Sequence, residues 1–214
     1  MARHPAAHGH RVRVAAGLAG DAVARAITRF RRALARWFVF TLAILLVGFA
    51  LYQGWFLAHI LYWVKHNPET TRMMELRLET LREKIPRAQL RRQWVDYDRT
   101  SMHLKRAIVA AEDAKFIDHE GFDWEGIRRA LEKNQRRGKV VAGGSTITQQ
   151  LAKNLFLTGE RNLLRKGQEA IITAMLEAVM DKRRILEIYL NVVEWGEGVF
   201  GAEAAAGYYF GVPA

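Results

Sequence analysis

Cysteine is absent from the 214 residues. That excludes disulfides and Cys-ligated metal centres, and it leaves the redox compartment unreadable from thiols. Acid is nearly absent from residues 1–36, where Asp21 stands against Arg3, Arg11, Arg13, Arg25, Arg29, Arg31, Arg32 and Arg36. This segment holds +7 of the formal +11, leaving +4 for residues 37–214. Basicity is therefore mainly a property of the tail. Nucleic-acid binding is one reading of such a tail, but the segment that follows favours a membrane.

Trp37–Val64 is 28 residues without Lys, Arg, Asp or Glu. A helix of that length exceeds the roughly 20 residues that cross a bilayer. Trp37 and Phe38 mark one end and Tyr62 and Trp63 the other, as interfacial aromatics do. The run is too long for a signal-peptide core, and no small-residue cleavage site follows it closely. The arginines before it predict a cytoplasmic N-terminus, with everything after residue 65 on the far side. The expected organisation is a basic cytoplasmic tail over 1–36, one membrane helix over 37–64, a connector over 65–95 and a mainly α domain over 96–214.

Half of the residues are hydrophobic, enough for one sizeable core. Asn67-Pro68 should end the first helix, and Thr70–Lys84 has helical spacing that Pro86 interrupts. Trp94–Tyr97 reads as a short strand. The spacing predicts apolar stripes of Leu104, Ile108 and Ala111; of Trp124, Ile127, Ala130 and Leu131; and of Leu164, Ile171, Met175 and Val179. Ile185–Val193 reads as a further helix, and Arg136–Lys139 as a basic loop. No β-hairpin, repeat or low-complexity tract is evident.

Five blocks carry chemistry. In the first, the apolar run Ala107–Ala111 delivers Glu112 and Asp113, followed by Phe116, His119 and Gly121. A carboxylate ending a buried helix would be partly desolvated, which raises its pKa and improves it as a base; a solvated helix end is the plainer alternative. In the second, Gly143-Gly144 leads into Ser145 as helix N-cap. Thr146, Gln149, Gln150 and Lys153 then share one face, with Asn154 beside them, while Ile147, Leu151 and Leu155 form an apolar face. Helix N–H groups and an ammonium suit an anionic phosphate. In the third, Arg165 and Lys166 are spaced to pair with Glu169, after Arg161; without context a surface ion pair is the simpler reading. The fourth, Lys182–Asn191, contains Tyr189. The fifth, Gly196–Gly211, is rich in glycine and alanine. The last two read as structural.

Together and in this order, the blocks resemble the five motifs of the peptidoglycan glycosyltransferases, glycosyltransferase family 51. Glu112-Asp113-x-x-Phe116-x-x-His119-x-Gly121, Gly143–Asn154, Arg165-Lys166-x-x-Glu169, Arg184–Asn191 and Trp195–Gly211 carry the match, over about Trp94–Ala214. Glu194-Trp195-Gly196 and Val199–Glu203 look most like the monofunctional branch in Gram-negative bacteria. No Ser-x-x-Lys motif of a transpeptidase is present. The family continues past Tyr208–Gly211 with a further helix, so the resemblance implies a C-terminus cut short at Ala214.

The resemblance implies a lysozyme-like fold with a globular lobe and a smaller jaw that dips into the membrane. It implies transfer of a glycan on undecaprenyl pyrophosphate to the GlcNAc 4-hydroxyl of lipid II, with inversion. Glu112 matches the general base and Glu169 the second glutamate, which orients the donor or its pyrophosphate, with a divalent cation (Mg or Mn) as an option rather than a requirement. Lys153, Arg161 and Lys166 match cations near the pyrophosphate. Asp113, Phe116, His119, Ser145, Thr146, Gln149, Gln150, Asn154, Arg165, Tyr189 and Asn191 match substrate-contacting positions. The expected partners are the lipid-linked substrates, the membrane and other cell-wall synthesis proteins, with no nucleic acid, at the bacterial inner membrane. A lytic transglycosylase or muramidase of similar fold, and a non-catalytic membrane-tethered binding protein, are the competing readings.

Overall fold

The computed structural model describes residues 6–141, 143–160 and 162–214. The chain divides into two units, one running to Gly54 and the other from Trp55 to Ala214. Helix α1 spans Ala6–Trp63. Its Phe30–Trp63 part is long and apolar enough to cross a membrane, with a mean hydropathy of 2.2 over its most apolar stretch, none of which is buried. Large apolar side chains there, such as Phe38 and Leu45, are well exposed. Such a surface is stable in hydrocarbon and costly in water.

The second unit is mainly helical. Its helices are α2 (Arg72–Lys84), α3 (Met102–Glu112), α4 (Trp124–Arg137), α5 (Ile147–Phe156), α6 (Leu163–Val179), α7 (Lys182–Val192) and α8 (Ala202–Phe210). Side-chain caps begin most of them. Thr71, Ser101, Asp123, Asn162 and Asp181 each accept a backbone N–H of the first turn. Helix α2 stops where Ile85 turns extended, as a residue before proline prefers.

Helix α5 is the centre. Ile147, Leu151, Ala152 and Leu155 are at most 3% exposed, and the helix packs against α2, α6 and α7. Around it lie Ile172 and Leu176 of α6, Ile185, Ile188, Leu190 and Val192 of α7, and Phe56 and Ile60 from the end of α1. Phe156 closes the end of α5 with edge contacts to Trp55 and Phe56. Burying a side chain of this size contributes about 1.5–3 kcal/mol.

A three-stranded sheet in the order β1-β3-β2 joins distant segments. β1 (Arg91–Arg92) pairs in parallel with β3 (Val199–Phe200), and β2 (Glu194–Gly196) pairs antiparallel with β3. Gly201, at φ +85°, lets the chain leave β3 against α7; a Cβ there would meet the Asn191 carbonyl at 2.8 Å.

Several expectations are corrected. Trp94–Tyr97 is not a strand. The strand is Arg91–Arg92, and Tyr97–Arg99 forms a 3₁₀ turn. Asn191 explains why: its Oδ1 accepts from Val95 N and its Nδ2 donates to Val95 O, both at 2.8 Å, so a side chain does the work of a partner strand. A hairpin, β2–β3, does exist, too short to show alternation. Arg136 and Arg137 end helix α4 rather than entering a loop, with Gly138 in the left-handed region as C-cap. The stripes on α3, α4 and α6 are also displaced. Ala111, Trp124, Leu131 and Leu164 are exposed. The buried face of α6 is Glu169, Ile172, Thr173 and Leu176.

Candidate active site

The site is built around the N-terminal half of α5. The N-cap of that helix is Thr146, not Ser145. The Thr146 hydroxyl accepts from Gln149 N at 3.2 Å and donates to Gly121 O at 2.7 Å, while Gln149 Oε1 accepts from Thr146 N at 3.0 Å. This capping box satisfies the helix end from within.

Asp113 completes the end of α5. It leaves α3 at φ −162° and ψ 75° and is buried. Its Oδ2 accepts from Ile147 N at 3.0 Å, and its Oδ1 lies 2.9 Å from His119 Nε2. A carboxylate at a helix N-terminus is favoured by the dipole. An Nε2–H of His119 can donate to this carboxylate oxygen. Behind it, Lys182 Nζ donates to His119 O at 2.6 Å and to Glu177 Oε1 at 2.8 Å, and Thr148 Oγ1 donates to the same Glu177 oxygen at 2.5 Å. Lys182 also lies over the ring of buried Phe116, 4.7 Å from its centroid.

Glu112, the last residue of α3, is exposed. Its Oε2 accepts from Gln150 Nε2 at 2.9 Å, and Gln150 Oε1 accepts from Tyr189 Oη at 3.1 Å. Tyr189 is 2% exposed. Burial pushes its hydroxyl pKa well up, and the Glu112 charge adds to this.

A second cluster lies at the start of α5. Lys166 Nζ donates to Ser145 Oγ at 3.4 Å and pairs with Glu169 Oε1; Arg165 Nη1 donates to Glu169 Oε2 at 2.7 Å. Glu169 is 4% exposed in its side chain, against 15% for Arg165 and 46% for Lys166. This is a buried ion pair on a rigid helix with one ammonium left partly in solvent. Gln150 of α5 thus holds an exposed carboxylate, while Ser145, just before the Thr146 cap, meets the cationic cluster.

A family model described as Transglycosylase matches residues 79–214. The chain belongs to the transglycosylase family. Among its relatives, the biosynthetic peptidoglycan transglycosylase of Laribacter hongkongensis (strain HLHK9) is 63% identical over 179 residues, 84% of this chain and 78% of the relative. Proteins of the same description from Azoarcus sp. (strain BH72) and Dechloromonas aromatica (strain RCB) are 62% and 60% identical, covering 79% and 85% of this chain and 75% and 78% of the relatives.

In this transglycosylase, Glu112, Gln150 and Tyr189 meet, as do Ser145, Lys166, Arg165 and Glu169. Other positions named from sequence make internal contacts. Thr146 and Gln149 cap α5, Asp113 and His119 brace it, Phe116 is core, and Asn191 clamps the Val95 backbone. Lys153 is half-buried on α5 and Asn154 is buried there. Arg161 lies outside the described residues. The expected burial of the helix leading to Glu112 is absent: in α3 only Lys105 is buried. The expectation of a surface ion pair at Glu169 is also overturned, since the carboxylate points inward. Glu177 was missed; only its place one turn after Thr173 on α6 hinted at an inward face. Both Glu169 oxygens are committed to cations, and among the described residues no group of three or more His, Asp or Glu converges. The donor set among the described residues therefore does not fit a resident divalent cation.

Proposed function

We propose that the chain polymerises peptidoglycan glycan strands, transferring a lipid-linked glycan onto the GlcNAc 4-hydroxyl of lipid II with inversion and releasing undecaprenyl pyrophosphate. The observation that carries this reading is the exposed Glu112 carboxylate, held by Gln150 of α5, the helix packed against α6, which carries the Arg165–Lys166–Glu169 cluster. The names of the relatives support the same reaction class.

In this reading Glu112 takes the proton of the acceptor hydroxyl as that oxygen attacks the donor anomeric carbon. The bond from that carbon to the pyrophosphate oxygen breaks through an oxocarbenium-like transition state, and attack from the opposite face inverts the centre. Lys166 and Arg165 meet the departing pyrophosphate charge, and Glu169 fixes both in place. The apolar part of α1 holds the enzyme at the membrane where such substrates reside. The arginines of residues 1–36 favour a cytoplasmic N-terminus with the catalytic unit on the periplasmic side. Residues 1–36, 37–64, 65–95 and 96–214 then serve as tail, span, connector and catalytic domain.

The test is incubation of the detergent-solubilised enzyme with purified lipid II, with products sized on a gel. Ladders of polymer support the proposal. Cleavage of preformed glycan strands without polymer from lipid II would replace it with a lytic activity.

A further inference from the structure

We infer that Tyr189 is a positioning residue for this reaction: its buried hydroxyl fixes the orientation of the Gln150 amide, and the amide holds the Glu112 carboxylate. The inference rests on the reading of Glu112 as general base. It starts from hydrogen-bond chemistry. An ionised carboxylate only accepts, so the Gln150 group 2.9 Å from Glu112 Oε2 is the Nε2 amide. The other end of the amide is then the acceptor Oε1, and the Tyr189 hydroxyl 3.1 Å away must donate to it. A flipped amide would set oxygen against oxygen at Glu112. Each bond therefore dictates the polarity of the next.

Rigidity sets the direction of control. Glu112 is exposed at the end of α3 and Gln150 is half-buried, and each reaches its partner through a flexible side chain. Tyr189 is 2% exposed, with Ile185, Ile188, Leu190 and Val192 of the same helix at most 1% exposed. Its ring cannot wander, so its hydroxyl is the fixed end of the relay.

Tyr189→Phe keeps the ring and removes the donor. Loss of one neutral hydrogen bond that matters only when the base is aligned should lower kcat about two- to tenfold, with KM for lipid II unchanged. The decisive measurement is the cycle with Gln150→Ala in the full chain. If Tyr189 acts through Gln150, adding Tyr189→Phe to Gln150→Ala changes kcat no further. A wild-type kcat in Tyr189→Phe, or losses that multiply in the double variant, would overturn the inference. Glu112→Gln is run alongside. Should it retain turnover, the base assignment fails and this inference with it; should it be inactive while Tyr189→Phe is normal, the inference alone fails.

Discussion

Arg184 donates from both Nε and Nη2 to the carbonyl oxygen of Trp63, at 3.0 and 2.9 Å. Nη2 also reaches His66 O at 2.6 Å, and Nη1 reaches Glu187 Oε2 at 2.6 Å. One guanidinium thus caps the end of α1 from α7. Helix ends leave orphan carbonyls that need such partners.

The first prediction follows from that cap. The Arg184 side chain is 15% exposed, and charged hydrogen bonds of this kind contribute about 1.5–3 kcal/mol. Arg184→Ala should lower the thermal midpoint of the detergent-solubilised protein by that equivalent. Arg184→Lys should restore little, because an ammonium cannot serve the same fork of acceptors. An unchanged midpoint in Arg184→Ala would show that the cap adds nothing.

Glu112 and Asp113 are adjacent but should fail differently. Glu112→Gln should lose about 10²–10⁴-fold in polymerisation while unfolding at the wild-type temperature, since the side chain is exposed. Asp113→Asn should lose about 1.5–3 kcal/mol of stability, because the carboxylate braces Ile147 N and His119. A fully stable but inactive Asp113→Asn beside an active Glu112→Gln would move the base to Asp113.

The Glu169 cluster predicts an asymmetry. Glu169→Ala leaves Arg165 without its partner in a largely buried site and should cost about 3–5 kcal/mol. Lys166→Ala removes a half-exposed ammonium and should cost at most about 1 kcal/mol, while weakening affinity for a pyrophosphate-bearing donor. Denaturant titration separates the two; equal losses would contradict the burial of the carboxylate.

Tyr189 predicts an alkaline weakness. Its pKa is higher folded than unfolded, so the neutral hydroxyl contributes fully below the ordinary tyrosine value of about 10 and that contribution fades as pH rises beyond it. Wild-type stability should fall more steeply above that pH than Tyr189→Phe stability. Parallel curves would show that ionisation of this hydroxyl is not linked to folding.

What the residues disclosed in advance depended on the range of the interaction. The helices α2, α5 and α7 were legible because Pro86, the apolar face Ile147–Leu151–Leu155 and the Ile185–Val193 pattern act locally. The strand at Arg91–Arg92 was not, because its pairing partner is Val199–Phe200 and its neighbour Val95 is held by Asn191, far along the chain. The apolar face of α6 was misplaced because Glu169 and Thr173, polar by composition, turn inward to meet Arg165, Lys166 and the helix's own backbone. Ser145 is the first cap candidate along the chain, but Thr146 with Gln149 closes a reciprocal box that a lone serine could not. Motif residues signal that a site exists; which of them brace α5 and which open to solvent is set by packing.

The parallel pairing of β1 with β3 also orders events in time. Arg91 and Val199 are more than a hundred residues apart, yet share a ladder. During synthesis the connector emerges early and its strand has no partner until nearly all the remaining helices have followed. Closing so long a loop is entropically costly and slow. The apolar helix α1, long enough to cross a membrane, is complete in the emerging chain well before that sheet can close.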